Sequence, residues 1–154
     1  IPLHIVSDGF DFVIDRVLTR GGFGHLKHYA NTLLFRGDRL DTVFSNSKPD
    51  CDTCATCKVG LLNRLRKAGE KVVVIGDGFS DHYIAQCADI VFAKHKLRRF
   101  CEKNSIPFHP FETFSGVIAQ MKDIIKSEEE CIESENRTAR EERVCAGIGA
   151  LKAR

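Results

Sequence analysis

The chain lacks any long hydrophobic run, and none approaches the roughly 18 apolar residues of a membrane-spanning helix. Residues 1–6 also lack the basic start, long apolar region and cleavage site of a secretory signal. A formal net charge of +2 is too small to indicate nucleic-acid binding. We therefore expect a cytoplasmic protein with neither a nucleic-acid nor a membrane partner. One local basic cluster is interpreted as a solvated helix face, and its members are Lys94, Lys96, Arg98 and Arg99.

Internal repeats and linkers rich in Pro, Gly or Ser are also missing from the 154 residues, of which 43% are hydrophobic. This length and composition predict one core domain, over residues 1–125. Within it, residues 29–58 are predicted to form an inserted β-hairpin and cysteine-rich loop. The very polar residues 126–154 are predicted to form either an exposed helix or a disordered tail.

The apolar pattern alternates between strand and helix along the chain. Predicted strands cover residues 3–6, 29–35, 42–44, 72–75 and 88–93. Predicted helices cover residues 10–18, 58–69, 81–87, 97–104 and 114–125. Strands alternating with helices predict an α/β fold, in which ligands collect at the carboxyl ends of parallel strands.

Seven cysteines in a chain not expected to be exported indicate reduced thiols rather than a disulfide framework. Cys51, Cys54 and Cys57 form two consecutive C-x-x-C spacings, which could supply part of a zinc or iron–sulfur site. A fourth ligand is not present at a diagnostic spacing, so a thiol-rich loop without metal is the alternative. The other four are predicted to pack as small apolar residues or to face solvent, and they are Cys87, Cys101, Cys131 and Cys145.

The clearest chemical signal follows the strand at 72–75. Four consecutive β-branched residues predict a strand covered on both faces, and the next residues are Gly76-Asp77-Gly78-Phe79-Ser80-Asp81. Asp77 and Asp81 could both present oxygen ligands to a hard cation such as Mg²⁺. The alternative interpretation is an N-capped helix, with Asp81 complementing the helix dipole.

Two other segments could handle a phosphate monoester. Ser7-Asp8-Gly9 follows the first strand, where a hydroxyl and backbone amides at a strand-to-helix turn can bind phosphoryl oxygens. Lys58 opens the helix before the strand at 72–75, and its ammonium could offset negative charge during phosphoryl transfer. Taken singly, Ser7 could be a helix cap and Lys58 a surface charge.

The order Ser7-Asp8-Gly9-Phe10, Lys58 and Gly76–Asp81 resembles motifs two, three and four of the haloacid dehalogenase superfamily. Within it, the chain is most similar to the phosphoserine phosphatase-like branch and to its methionine-salvage phosphatases, which also carry a cysteine-rich loop before the lysine. The resemblance implies a Rossmann-like, three-layer core with a mainly parallel sheet. It further implies Mg²⁺, a small phosphorylated metabolite as substrate and hydrolysis through an aspartyl-phosphate.

The resemblance also assigns roles to individual residues. Ser7, Asp8, Gly9 and Lys58 would contact phosphate, with Lys58 the catalytic residue. Asp77 would ligate Mg²⁺, and Asp81 would support the metal directly or through water. Zinc at the cysteine loop is a further, separate possibility.

One departure concerns the superfamily's first motif, DxDx[TV], which supplies the nucleophilic aspartate and is not found in this sequence. The chain is therefore expected to be a fragment that lacks its first strand and is inactive alone. That strand is normally central, so its place would be filled by an N-terminal segment, by a second copy, or by direct closure of the neighbouring strands. The alternative function is a non-catalytic phosphate- and Mg²⁺-binding or assembly module.

Overall fold

A computed structural model describes the backbone of residues 1–48 and 54–151, and the side chains of residues 1–48 and 54–133. Its strands are β1 (His4–Phe10), β2 (Lys27–Arg36), β3 (Arg39–Val43), β4 (Val73–Gly76), β5 (Ile90–Ala93) and β6 (His109–Pro110). Its helices are α1 (Asp11–Arg20), α2 (Lys58–Leu65), α3 (His82–Ala85), α4 (His95–Lys103) and α5 (Phe114–Leu151). The fold is α/β, with parallel strand pairs in a Rossmann-type arrangement, as predicted.

The first sheet has the order β1-β2-β3, with β1 parallel to β2 and β2 antiparallel to β3. The predicted turn between β2 and β3 is present, and Gly37 adopts a φ of 58°, which favours glycine. The register of β1 against β2 shifts between Val6 and Phe10. The segment Ser7-Asp8-Gly9 therefore forms an irregularity inside β1, whereas the sequence predicted that the strand ends there.

The second sheet has the order β4-β5-β6, and all its strands are parallel. A hydrophobic core packs between β5 and the helices on either side of it in sequence. Its buried members are Ala85, Val91, Ala93, Leu97 and Cys101. The core holds β5 firmly, and β5 in turn holds β4 in register beside it.

Asp89 fastens the start of β4 to the start of β5. Its Oδ2 accepts the N–H of Val72 at 2.7 Å and a hydrogen bond from Arg66 at 3.1 Å. The backbone N–H bond from Val72, followed by the charge of Arg66, holds the pKa of Asp89 below its ordinary value. The ionised carboxylate is therefore the form that the folded chain favours.

The two sheets do not pair with each other within the described residues. Direct closure of β1 on β4, one of the three ways in which the sheet could be completed, is thus wrong. Both strands are edge strands in the described part of the chain, and Ile75 of β4 is 37% exposed. The expectation that both faces of this strand are covered therefore fails at Ile75 among the described elements.

Helix α1 carries the predicted apolar positions but buries none of its residues. Phe12, Val13 and Val17 are 49%, 46% and 64% exposed. The ring of Phe12 lies edge-on to the ring of Phe35 in β2, with centroids 6.5 Å apart. The apolar face of α1 is therefore open within the described residues, although its helical period was predicted correctly.

Residues from Phe111 onward form a separate compact unit. Its helix α5, Phe114–Leu151, contains the predicted helix at 114–125 and continues through most of the polar segment. The Thr113 carbonyl accepts the N–H of Val117 in the first turn. None of the described helices has both the length and the apolar content required to cross a bilayer.

Candidate active site

Asp81 organises the loop that follows β4. Its Oδ2 accepts the backbone N–H groups of Asp77 and Gly78, both at 3.1 Å. The carboxylate also lies against Gly76, where an added Cβ would fall 2.6 Å from Oδ2. Because real Cβ atoms do not approach other atoms so closely, position 76 has room for glycine alone while Asp81 stays in place.

Lys58 meets the other oxygen of this carboxylate. Its Nζ donates to Asp81 Oδ1 at 2.5 Å and to Ser80 Oγ at 2.8 Å. The side chains of Lys58 and Asp81 are only 10% and 12% exposed. Lysine and aspartate are rarely buried unless they are paired, so each charge here compensates the other. Lys58 is therefore a buried, paired lysine and not a surface charge.

The start of α2 places Lys58 at this point. Cys57 is the N-cap residue, and its sulfur accepts the N–H of Gly60 at 3.3 Å. The Cys57 N–H donates to the Asn46 carbonyl at 2.8 Å, which ties the helix start to the chain after β3. Cys57 thus caps the helix that carries Lys58 and is buried.

The Ser7-Asp8-Gly9 segment contacts the chain just before α2. Ser7 Oγ accepts the N–H of Gly9 at 3.0 Å, so this hydroxyl still has its proton to donate. Asp8 Oδ1 accepts the N–H of Thr56 at 3.0 Å, and Thr56 lies two residues before Lys58. The structure therefore connects the predicted phosphate-binding segment Ser7-Asp8-Gly9 to the stretch of chain that carries Lys58.

Thr56 and Asn31 complete this connection, and the sequence interpretation missed both. Thr56 Oγ1 lies 3.0 Å from the Ser7 carbonyl oxygen and 3.3 Å from Asn31 Oδ1. Asn31 Nδ2 donates to the Asp8 carbonyl at 2.8 Å. Each of the two residues is 1% exposed. The one available signal was the amide of Asn31, which stands beside Thr32 among the apolar residues of the strand predicted at 29–35.

Asp77 differs from Asp81 because its carboxylate is exposed and has no hydrogen bond or ion pair with any described residue. Its backbone carbonyl, by contrast, accepts the N–H groups of Lys96 and Leu97 at 3.1 and 3.2 Å. The first turn of α4 therefore fixes the Asp77 backbone and leaves its carboxylate available. This use of α4 was not predicted from the sequence.

The described residues hold no cluster of three or more His, Cys, Asp or Glu side chains suited to a metal ion. Zinc binding by the cysteine loop therefore has no support from the part of the chain that the structure describes. Cys51 lies outside the described residues. Cys54 and Cys57 line a cavity of about 310 Å³, together with Lys48, Lys58, Val59, Ser80 and Tyr83.

The basic cluster on α4 is largely solvated, as interpreted. Lys96, Arg98 and Arg99 are exposed. The Lys96 ammonium lies 4.7 Å from the ring centre of Phe79, and Arg98 pairs with Glu102 at 2.9 Å one turn later. Lys96 and Arg98 thus contact nearby residues, and neither of these two contacts involves Lys58.

Comparison with known proteins places the chain in a family. The chain is 31% identical over 134 residues to a 2-hydroxy-3-keto-5-methylthiopentenyl-1-phosphate phosphatase of Lysinibacillus sphaericus, covering 82% of this chain and 58% of that protein. The chain belongs to the haloacid dehalogenase superfamily. It is also 33% identical over 128 residues to the phosphatase of the same name from Bacillus cereus, with the same coverage. No family model matches the chain.

These relatives confirm the resemblance to haloacid dehalogenases of the methionine-salvage type. A similar protein from Exiguobacterium sibiricum, of the same name, is 30% identical and covers 79% of this chain. The chain spans 58% of the length of the first two relatives, which is less than two thirds.

Proposed function

We propose that this chain forms the larger part of a Mg²⁺-dependent phosphatase that hydrolyses a small phosphate monoester through an aspartyl-phosphate. The observation that carries the proposal is the buried pair of Lys58 and Asp81, with Ser80 beside it, at the carboxyl end of β4. Carboxyl ends of parallel strands are where α/β enzymes bind their ligands. The relatives, all phosphatases by name, support the same reaction class.

Lys58 supplies the positive charge of the proposed site. Its ammonium has three donors, of which two are directed at Asp81 and Ser80. The third donor has no acceptor among the described residues, and in our proposal it binds a phosphoryl oxygen and offsets charge that develops during transfer. Asp81 thereby orients the lysine. Its two oxygens already accept hydrogen bonds from Lys58 and from the Asp77 and Gly78 N–H groups, so we propose that it supports the metal indirectly, by holding the loop that carries Asp77.

Ser7 and its neighbours would add further contacts to the phosphoryl group. The Ser7 hydroxyl accepts from Gly9 and donates its own proton to a phosphoryl oxygen in our proposal. The Asp8 carboxylate is held by the N–H of Thr56, which fixes its position in the irregular part of β1. In this proposal, the irregular part of β1 supplies a short polar segment to the phosphate site.

The carboxylates of the loop after β4 fit Mg²⁺ better than they fit a metal ion whose ligands all come from the protein. Mg²⁺ keeps several waters and is commonly held by one or two carboxylates and substrate phosphate oxygens. The carboxylate of Asp77, which is exposed and has no partner among the described residues, offers such a ligand, and Asp81 supports it from the same loop. When bound, Mg²⁺ would neutralise charge on the phosphoryl oxygens.

The attacking carboxylate belongs, in this proposal, to a strand that pairs with both β1 and β4. Each of these strands has one unpaired edge among the described residues. Leaving buried N–H and C=O groups unpaired costs about 1–3 kcal/mol each. Over a strand of about five residues, that sum rivals a typical domain stability of about 5–15 kcal/mol. An N-terminal segment, or a second copy of the chain, would supply the strand.

Phosphate release tests the proposed reaction. The full-length protein is expected to hydrolyse p-nitrophenyl phosphate with Mg²⁺ and to lose that activity with EDTA. The relatives' names make 2-hydroxy-3-keto-5-methylthiopentenyl 1-phosphate the first specific substrate to test. The coding sequence upstream should encode an apolar strand ending in DxDx[TV]. A protein with no such segment and no turnover of either ester would overturn the phosphatase proposal.

A non-catalytic binding module is the second candidate. It would keep the phosphate and Mg²⁺ contacts and lack the nucleophile. This candidate predicts that inorganic phosphate and Mg²⁺ bind, as titration calorimetry would detect, while phosphate esters are not hydrolysed. Turnover that depends on Lys58 would exclude it.

A further inference from the structure

We infer that Thr56, together with Asn31, is a positioning residue that locks the Ser7-Asp8-Gly9 segment to the chain carrying Lys58. The inference rests on the proposed function, because it concerns the same phosphate site. It assigns a role to two residues that no motif of the resemblance includes. The two groups that would contact phosphate come from separate parts of the chain, so something must fix the distance between them.

The contacts run from both the backbone and the side chain of Thr56. Its N–H donates to Asp8 Oδ1 at 3.0 Å, and its hydroxyl lies 3.0 Å from the Ser7 carbonyl oxygen. The same hydroxyl lies 3.3 Å from Asn31 Oδ1, and Asn31 Nδ2 donates to the Asp8 carbonyl at 2.8 Å. Two successive residues of the bulge are therefore held from two directions.

The burial of Thr56 and Asn31 makes the loss of any of these contacts costly. Thr56 and Asn31 are each 1% exposed, so water does not replace a lost partner easily. The Ser7 and Asp8 carbonyl groups lie in the stretch where β1 leaves the regular register of β2. The hydroxyl of Thr56 and the amide of Asn31 take the place of ladder hydrogen bonds there.

Thr56 also acts on the charge of Asp8. A carboxylate in a phosphate-binding segment repels a phosphate unless its charge is held and partly offset. The Thr56 N–H holds one oxygen of that carboxylate. Since Thr56 is only two residues before Lys58, one short stretch of chain fixes Asp8 on one side and the ammonium on the other.

Three variants of the full-length protein test the inference. Thr56→Val keeps the shape of the side chain but removes the hydroxyl, whereas Thr56→Ser keeps the hydroxyl. Thr32→Val is the matched control, because Thr32 donates to Asp11 Oδ2 at 2.7 Å and, among the described residues, does not hydrogen-bond to Ser7, Asp8 or Lys58. Steady-state kinetics with p-nitrophenyl phosphate and Mg²⁺, and thermal melting, would be measured for each.

Thr56→Val is expected to lower kcat/KM by ~100-fold, since small displacements of binding groups cost about that much. Part of the loss should be a rise in KM of ~10-fold, because misplaced phosphate contacts weaken ground-state binding. Thr56→Ser should stay within about 3-fold of wild type in both constants, as should Thr32→Val. A merely structural role would reduce the active fraction, lowering apparent kcat with KM unchanged.

A second readout does not depend on turnover. Hydrogen exchange at the amides of Asp8 and Gly9 should be faster in Thr56→Val than in wild type, and unchanged in Thr32→Val. Asn31→Ala should give the same exchange pattern if Thr56→Val does not fold. Wild-type levels of exchange and an unchanged KM in the folded variants would overturn the inference. A wild-type protein without turnover would refute the proposed function alone, and exchange would still decide the positioning role.

Discussion

Replacing Gly76 by alanine should disrupt the site through a single methyl group. A Cβ at this position would lie 2.6 Å from Asp81 Oδ2, 2.7 Å from its Cγ and 3.0 Å from its Cβ. The obstacle includes the base of the Asp81 side chain, which cannot move without the whole carboxylate moving. The two backbone hydrogen bonds to Oδ2 and the ion pair with Lys58 would then be lost or stretched together.

The size of the effect follows from those contacts. Hydrogen bonds to a charged group contribute about 1.5–3 kcal/mol each, and a buried ion pair that is broken costs about 3–5 kcal/mol. The contributions are not additive, because one movement of Asp81 affects all of them. We expect Gly76→Ala to lower the free energy of unfolding by about 3–5 kcal/mol, a large share of a typical domain's stability.

Urea unfolding followed by far-ultraviolet circular dichroism would measure this loss, since the chain has no tryptophan for fluorescence. Gly78→Ala is the matched control: its Cβ would approach Asp81 Oδ2 only to 3.8 Å, an ordinary contact. Its φ of −115° suits alanine as well. Equal unfolding free energies for the two variants would refute the account of this loop.

Three further outcomes are expected. Lys58→Met leaves its partner carboxylate buried and unpaired and should lower the free energy of unfolding by about 3–5 kcal/mol; a loss below about 1 kcal/mol would contradict the pairing. Because the folded pKa of Asp89 is depressed, its stabilisation is present above about pH 4 and is lost as the pH falls further. The melting temperature should therefore fall more steeply below pH 4 in wild type than in Asp89→Asn, and parallel curves would contradict this. Burial raises the pKa of the Cys101 thiol, so iodoacetamide should label exposed Cys87 first; equal rates would contradict a buried Cys101.

Much of the α/β pattern could be predicted because it depends on local apolar period. The β-branched run ending at Ile75 became β4, and the period of residues 10–18 became α1. The division into two sheets could not be predicted this way, since pairing depends on partners distant in sequence. For the same reason, the exposure of Ile75 departs from the expectation of a strand covered on both faces.

The site shows the same limit. Asp81 was interpreted as a second metal ligand or a helix-dipole residue, but its two oxygens are occupied by Lys58 and by backbone N–H groups. That arrangement depends on Gly76 and on Lys58, which lies 23 residues before Asp81, and no local pattern encodes such a pairing. The role of Thr56 could not be predicted for another reason. A threonine between two cysteines belongs to no periodic pattern or motif, and its burial became known only from the structure.

The most direct test of the account is the turnover of p-nitrophenyl phosphate by the full-length protein with Mg²⁺, measured for wild type, Lys58→Ala and Lys67→Ala. Lys67 is an exposed lysine after the same helix and serves as the control. We predict that Lys58→Ala lowers kcat by ~100-fold or more, and that Lys67→Ala leaves it unchanged. A Lys58→Ala variant that is folded and turns over at the wild-type rate would contradict the central claim.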